Sequence, residues 1–289
     1  MVMVPSDGPR FQAAVQTGLA NHKIEPSRID DAVTRILTVK FELGLFEHPM
    51  PTEDDAQLGS DHDRALAREA VGKSAVLLKT TAGLLPLKTG DDVLLAGSGA
   101  DDIGTQSGGW TITWQGSTGP TTPGTTIADD LRARLGDHLV YTGARAIPAG
   151  THAKTGIVVV AEPPYAEGKG DSATLALPAD DLATIAEVRP MVDRLVVVVL
   201  SGRPVMLDAI LPTADAVVAA WLPGTEGAGV GDVLLGDRPF TATTPYTWPK
   251  TPNDAPRTGK DACAGAVFPL GYGLNADGSL RGPAACPGA

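Results

Sequence analysis

Residues 195–200 read Leu195-Val196-Val197-Val198-Val199-Leu200, six apolar side chains in a row without polar alternation. A strand with one wet face alternates apolar and polar residues, whereas a strand covered on both faces need not. Three further runs of this kind stand at 93–96, 157–161 and 216–221, and helical patterns near 180–192 and 227–235 fit the crossovers between them. The succession predicts an α/β sandwich with a mostly parallel sheet flanked by helices. In such sheets ligands collect at loops beyond the carboxyl ends of the strands, which singles out the loops 97–119 and 162–171.

Upstream of the sheet the pattern is helical. Pro26 precedes a stretch over 27–44 in which Ile29, Val33, Ile36, Leu37 and Phe41 recur at three- and four-residue steps, with Ser27 and Asp30 at the spacing of a variant capping box and Gly44 as the stop. A weaker helix is expected over 11–20 and another over 61–74. The first two carry apolar faces with little around them to cover those faces. Pro49, Pro51 and the acidic run Glu53-Asp54-Asp55 mark a linker. The expected divisions are 1–48, a linker 49–64, the sandwich 65–250 and a tail 251–289.

The 289 residues, 43% hydrophobic and 20% charged, suffice for a large core, and the 34 glycines and 24 prolines are scattered without a repeat. The net charge of −11 argues against nucleic acid as a partner, because phosphates are neutralised by clustered Lys and Arg. No apolar stretch reaches the roughly 18–20 residues of a membrane-spanning helix, so the chain reads as soluble with no membrane partner. The start, Met1-Val2-Met3-Val4-Pro5-Ser6-Asp7, has neither the basic residues nor the apolar core of a secretory signal, and sequence upstream of it is expected to be missing. The two cysteines, Cys263 and Cys286, lie in the tail, where a pair is compatible with a disulfide and with export. No metal site or cofactor is expected: neither cysteine has a Cys or His neighbour at ligand spacing, and the five histidines are dispersed.

The first loop contains Gly108-Gly109-Trp110-Thr111-Ile112-Thr113-Trp114-Gln115-Gly116. If extended, it turns both indoles to one side, and a flat indole face matches the C–H face of a sugar ring. The opposing reading buries one or both rings in the core, the usual fate of large aromatics. The second loop, Glu162-Pro163-Pro164-Tyr165-Ala166-Glu167-Gly168-Lys169-Gly170-Asp171, follows a buried run directly. A carboxyl group there, in a loop stiffened by two prolines, suits general acid work, although a solvated acidic loop has the same composition. Composition does not choose between Glu162 and Glu167, and Lys169 near either would lower its pKa. Other chemistries fit poorly. Gly97-Ser98-Gly99 resembles the start of a dinucleotide loop, but Asp102 stands where the third glycine belongs and no helix clearly starts there. Ser201 has no associated histidine, and no Gly-x-Ser-x-Gly elbow occurs.

Taken together, the chain resembles the carboxy-terminal portion of glycoside hydrolase family 3, the β-glucosidase and exo-β-glucanase type. The similar segments are Ser27 to Leu37, Ala67-Arg68-Glu69-Ala70 with Ser74 to Lys79, Gly108 to Gly116, Pro164 to Asp171, Ser201-Gly202-Arg203-Pro204, Ala220 to Gly227 and Leu270-Gly271-Tyr272-Gly273. They follow the family's order over nearly the whole chain. Ala161 and Ala228 depart from it, standing where glycine and a polar residue are expected.

The resemblance implies a (β/α) barrel paired with the sandwich and an active site between them. It implies a retaining mechanism, in which a barrel aspartate attacks the anomeric carbon and a sandwich glutamate protonates the leaving oxygen and then activates water. By its place in Pro164-Tyr165-Ala166-Glu167 the match puts that acid/base on Glu167, with Trp114, Trp110 and Tyr165 at the sugar, and gives Glu162 a different role. Met1 to Pro5 looks like the last barrel strand and residues to 48 like the barrel's closing helices. The remainder of the barrel, with its nucleophile, is therefore expected on a missing half supplied in cis or in trans, and the lone chain is expected to be inactive or very weak. Asp7 lies outside the nucleophile's motif. The implied substrate is a β-linked glucoside or glucan, and secretion of the full-length enzyme follows from family habit. The alternative is a carbohydrate-binding module without hydrolysis; a third reading is a truncated product folded only from about residue 65 onward.

Overall fold

The computed structural model describes residues 2–50, 58–143, 147–254, 256–258 and 265–281; Cys263 and Cys286, and with them the expected disulfide, lie outside the described residues. Two compact units divide the chain, 1–58 and 59–289.

The first unit is a helical pair, α1 (Gly8–Ala20) and α2 (Pro26–Glu42). The Asp7 carboxylate accepts from the Arg10 backbone N–H and caps α1. In α2 the expected capping box does not form: Pro26 occupies the first turn, Glu25 is the N-cap without a side-chain bond, and Ser27 already lies inside the helix. Proline needs no donor partner at that position and presets the helical φ, so the side-chain cap is dispensable. Neither helix buries a residue, and Phe11, Val33, Leu37 and Phe41 remain exposed. Residues 2–5 form no strand, since an isolated strand has nowhere to spend its ladder hydrogen bonds.

The second unit is the sandwich. Its elements in order are α3 (Asp61–Ser74), β1 (Val76–Lys79), β2 (Val93–Ala96), α4 (Ile103–Ser107), α5 (Ile127–Leu135), β3 (Leu139–Tyr141), β4 (Ala153–Ala161), α6 (Ala179–Val188), β5 (Val192–Leu200), β6 (Ala216–Trp221), α7 (Ala228–Leu235), β7 (Trp248–Pro249) and β8 (Ala266–Phe268). The six-stranded sheet runs β1-β6-β5-β4-β2-β3, with β1 antiparallel at one edge and every other pair parallel. Helix α3, capped reciprocally by Ser60 and Asp63, reaches into the stretch expected as linker. Phe268 and Leu274, from the expected tail, join the core.

The valine runs divide their side chains between two cores. Val159, Val196, Val198 and Leu200 meet residues of α3, α5 and α7, including Val71, Leu131, Val230 and Val233. Val158, Val160, Val197 and Val199 meet Ile185 and Val188 of α6, together with Val205, Ile210 and Trp248. These valines of β4 and β5 are fully buried, each worth about 1.5–3 kcal/mol as an upper estimate.

Charge ties the three helices of the first core together. Asp232 of α7 accepts from Arg68 Nε of α3 at 2.8 Å and lies 3.2 Å from Arg134 Nη1 of α5, which also pairs with Asp130 and Asp237. Burial opposes ionisation of Asp232, yet the Arg68 bond and the charges of Arg68, Arg134 and Arg238 outweigh it and hold its pKa below the usual carboxylate range. At Asp130 burial wins over Arg134 and Arg68 and the pKa rises.

Replacing Asp232 by Ala leaves Asp130 as the one carboxylate shared by Arg68 and Arg134, with Asp237 on Arg134 at the rim. The expected cost is about 3 kcal/mol, the low end for a broken buried pair because Arg68 keeps some solvent. Trp110, Trp114, Trp221 and Trp248 all belong to the second unit, so urea denaturation followed by tryptophan fluorescence reads this loss directly. Lys73→Ala, in an exposed pair on α3, leaves the midpoint in place.

Candidate active site

Parallel register brings two loops out of the sheet side by side. Ala161 pairs with Leu200 across β4 and β5, and the Glu162 N–H donates to the Leu200 carbonyl at 3.0 Å. Glu162 is buried, 8% exposed, and accepts from Arg203 Nε at 3.0 Å and Nη2 at 2.6 Å. The Tyr165 hydroxyl donates to its second oxygen at 3.0 Å, and the Arg203 guanidinium lies 4.5 Å over the Tyr165 ring. Burial, then the neighbouring Glu162 charge, push the Tyr165 pKa up, so the phenol remains a donor at neutral pH. The cation beside Glu162 is thus Arg203; Lys169 forms no ion pair with Glu162 or Glu167 among the described residues. Ser201 is buried, its hydroxyl donating to the Arg203 carbonyl at 2.7 Å.

The Gly97-Ser98-Gly99 loop has a structural explanation. Gly97 has φ +102°, and a Cβ there would stand 2.3 Å from the Val159 carbonyl oxygen. The Asp181 carboxylate accepts from the Ser98 N–H and hydroxyl and from the Ala161 N–H, so these donors are already taken. Contrary to expectation a short helix, α4, does begin after Asp102, whose carboxylate takes the Thr105 N–H at 2.7 Å and the Gly119 N–H at 2.8 Å.

That anchoring frames the tryptophan loop. Gln106 is buried; its Oε1 accepts from the Ile127 N–H at 3.0 Å and its Nε2 donates to the Gly224 carbonyl at 3.0 Å. The stretch 108–116 is not extended. Trp110 and Ile112 have φ of 62° and 61°, and the Trp110 N–H donates to the Trp114 carbonyl at 2.9 Å. The loop coils because it is pressed onto its neighbour: a Cβ on Gly109 would lie 1.9 Å from the Tyr165 carbonyl oxygen, and the Ala166 N–H donates to Gln115 Oε1 at 2.9 Å. The indoles nevertheless stay together, ring centroids 6.2 Å apart and inclined by 54°. Both are on the surface, Trp110 69% and Trp114 55% exposed, so neither is a core residue of this unit.

Trp114 Nε1–H donates to Glu167 Oε2 at 2.6 Å. The structure therefore gathers Glu167, Trp114 and Trp110, and turns the Tyr165 hydroxyl and ring towards Glu162 and Arg203. Of the two loop carboxylates, Glu162 is committed to its ion pair and Glu167 faces solvent. An exposed carboxyl beside two flat apolar faces can exchange a proton with a group on a stacked ring. Sequence reasoning missed Arg203, Gln115, Asp102 and Gln106 as organisers. For Arg203 a signal existed, since loops after adjacent parallel strands adjoin. Among the described residues no group of three or more His, Cys, Asp or Glu is placed to hold a metal ion, and no helix is long and apolar enough to cross a membrane.

The sheet order defines the class of an α/β sandwich with paired loops at the carboxyl ends of the central strands. The sequence model described as the glycosyl hydrolase family 3 C-terminal domain matches residues 75–276, and the chain belongs to this family. It is 30% identical to a lysosomal beta glucosidase of Dictyostelium discoideum over 280 residues, covering 88% of this chain and 34% of that protein. To a periplasmic beta-glucosidase of Salmonella typhimurium it is 26% identical, covering 88% and 41%. A variant of the exo-1,3/1,4-beta-glucanase from a Pseudoalteromonas species superposes with a TM-score of 0.85 at 35% identity, covering 98% of this chain and 49% of that one. The beta-glucosidase from Listeria innocua in complex with glucose, 23% identical, shares the fold with a TM-score of 0.75 over 90% of this chain and 40% of that one. The chain thus spans between a third and a half of the length of these relatives.

Gly109→Ala tests the loop contact. The methyl group must displace the Tyr165 carbonyl, which lowers stability by about 1–3 kcal/mol and frees the Trp114 indole. Acrylamide quenching of the exposed tryptophans rises in the variant; unchanged quenching and an unchanged denaturation midpoint would mean the two loops do not touch.

Proposed function

We propose that this chain is the carboxy-terminal part of a retaining β-glycosidase acting on β-linked glucosides or glucans, and that Glu167 is its acid/base. The carrying observation is the Trp114–Glu167 hydrogen bond beside a pair of exposed indoles. Glu167 donates a proton to the glycosidic oxygen as the leaving group departs, then takes one from the water that releases the sugar. Trp114 forms a wall of the sugar site and Trp110 flanks it; Tyr165, its hydroxyl bonded to Glu162, serves that site from within the loop. The names of the relatives, beta-glucosidases and an exo-1,3/1,4-beta-glucanase, support β-glucosides as the substrate class.

In this reading α1 and α2 close a (β/α) barrel whose remainder carries the nucleophilic aspartate, which accounts for their uncovered apolar residues. The division into barrel end, linker, sandwich and tail belongs to the same proposal. So does export of the full-length enzyme, in keeping with lysosomal and periplasmic relatives.

The first test is hydrolysis of an aryl β-glucoside by the purified chain, with Glu167→Gln as control for contaminating activity. Turnover by the chain and not by the variant would overturn the placement of the nucleophile elsewhere. With both inactive, the barrel half is supplied in trans. Glu167→Gln should then cut turnover of poor leaving groups by about 10²–10⁴-fold and that of activated aryl glycosides far less. Equal losses would remove Glu167 from the acid role. Titration with glucose or a β-glucan oligosaccharide, followed by tryptophan fluorescence, tests the indole platform: saturable binding that never leads to turnover, even with the barrel present, would favour a binding module.

A further inference from the structure

The loop that carries Glu167 leaves the sheet at Glu162 and doubles back to Arg203 at Gly170, so that one side chain grips both points. Arg203 binds the Glu162 carboxylate through Nε and Nη2, and its Nη1 donates to the Gly170 carbonyl. Between these points the loop folds around Tyr165. The phenol bonds back to Glu162, the guanidinium covers the ring, and Gly170 is so close that a Cβ would stand 2.3 Å from the ring's Cδ2. Within the loop the Gly170 N–H donates to the Ala166 carbonyl and the Lys169 N–H to the Glu167 carbonyl, both at 2.8 Å. Arg203 is itself fixed, because the Ser201 hydroxyl donates to its carbonyl. Glu167, at the tip, has one side-chain bond among the described residues, to Trp114. Gln115 holds the neighbouring Ala166 N–H, and the ends of the loop are held by Arg203.

We infer that Arg203 is a positioning residue for Glu167: by clasping Glu162 and Gly170 it closes the loop 162–170 and sets the carboxyl against Trp114. The importance of this for catalysis rests on the reading of Glu167 as acid/base, but the clasp itself does not. A guanidinium suits the task because its planar array of donors fixes direction as well as charge, with Nε and Nη2 on Glu162 Oε1 and Nη1 on the Gly170 carbonyl.

The indole resonances of the 289-residue chain test it, since Trp114 reports on Glu167 and makes no contact with Arg203. The Trp114 indole N–H is assigned with Trp114→Phe, and its position without a carboxylate partner with Glu167→Ala. Arg203→Ala alone would leave Glu162 buried and unpaired, so the main variant is Arg203→Met with Glu162→Gln, which removes both charges at similar volume. The expected result is a shift of the Trp114 resonance towards its Glu167→Ala position and loss of hydrogen-exchange protection at Lys169 and Gly170. The Trp221 indole, bonded to the Ser74 carbonyl, stays in place. An unmoved Trp114 resonance with unchanged loop protection overturns the clasp. If the Trp221 resonance also moves, the variant has disturbed the sheet, and Arg203→Lys decides: it should shift Trp114 part of the way, and no shift overturns the proposal. In hydrolysis with the barrel half supplied, a positioning role lowers kcat for poor leaving groups while KM holds. Should Glu167→Gln leave hydrolysis untouched while Trp114 still answers to Arg203, the acid/base reading falls and the clasp stands.

Discussion

The parallel pairing of β4 with β5 is the constraint on which the site depends. Both strands are covered on both faces, and slipping either by one residue would exchange the valines facing one core for those facing the other. In the observed register Ala161 stands opposite Leu200, and the two chains leave the sheet together. Glu162 and Arg203 meet because of that register, and the loop over them takes its shape from their ion pair. The register of two buried strands thus bears on where a surface carboxyl stands, several residues beyond the end of a strand.

The polar groups around this register are used with little left over. Asp181 absorbs N–H groups from the loop after β2 and from β4, Asp102 those of α4 and Gly119, and Gln106 ties separate segments together from a fully buried position. Loops at the end of a parallel sheet present backbone donors that must be satisfied when water is excluded. Supplying the acceptors from inside the chain converts open loops into fixed ones. Asp181 bears the cost: burial raises its pKa, and the bonds from Ala161 and Ser98 oppose that rise.

The valine runs made the sheet legible, because uninterrupted apolar strands can hardly be placed anywhere else. Strands β1 and β3 did not announce themselves: one is an antiparallel edge of four residues, the other three half-buried residues whose sequence is unremarkable. Helix α5 was legible in retrospect, with Ile127, Leu131 and Leu135 at four-residue steps and the Thr126–Asp129 capping box, but its signal sits beside a glycine-rich loop that drew the reading towards binding. In the site, Glu167 and the two tryptophans were visible as residue types in loops. The choice between Glu162 and Glu167 was not visible in composition, and the resemblance was needed to make it. Burial separates them at once, since only one of the two has an arginine within reach. The extended form assumed for 108–116 failed for a reason outside the segment, the contact of Gly109 with the Tyr165 backbone, which no local pattern encodes.

That contact also explains why strain is tolerated on the surface. Ile112 is β-branched and, like Trp110, lies in the left-handed region, which costs on the order of 1–3 kcal/mol per residue. A free loop would relax, because extended forms of the same residues are open to it. Here Gly108 and Gly116 bring the loop's ends so close that a Cβ on Gly116 would stand 2.4 Å from the Gly108 carbonyl oxygen, while Gln115 binds Ala166. Closing the ends leaves too few residues for an extended path, and the strain falls on the tip, where the indoles are. Relaxing Trp110 or Ile112 would therefore have to release Gln115 or part the ends. The two indoles are held by loop-to-loop contacts that also adjoin Glu167, so a shift of one loop is carried to the other.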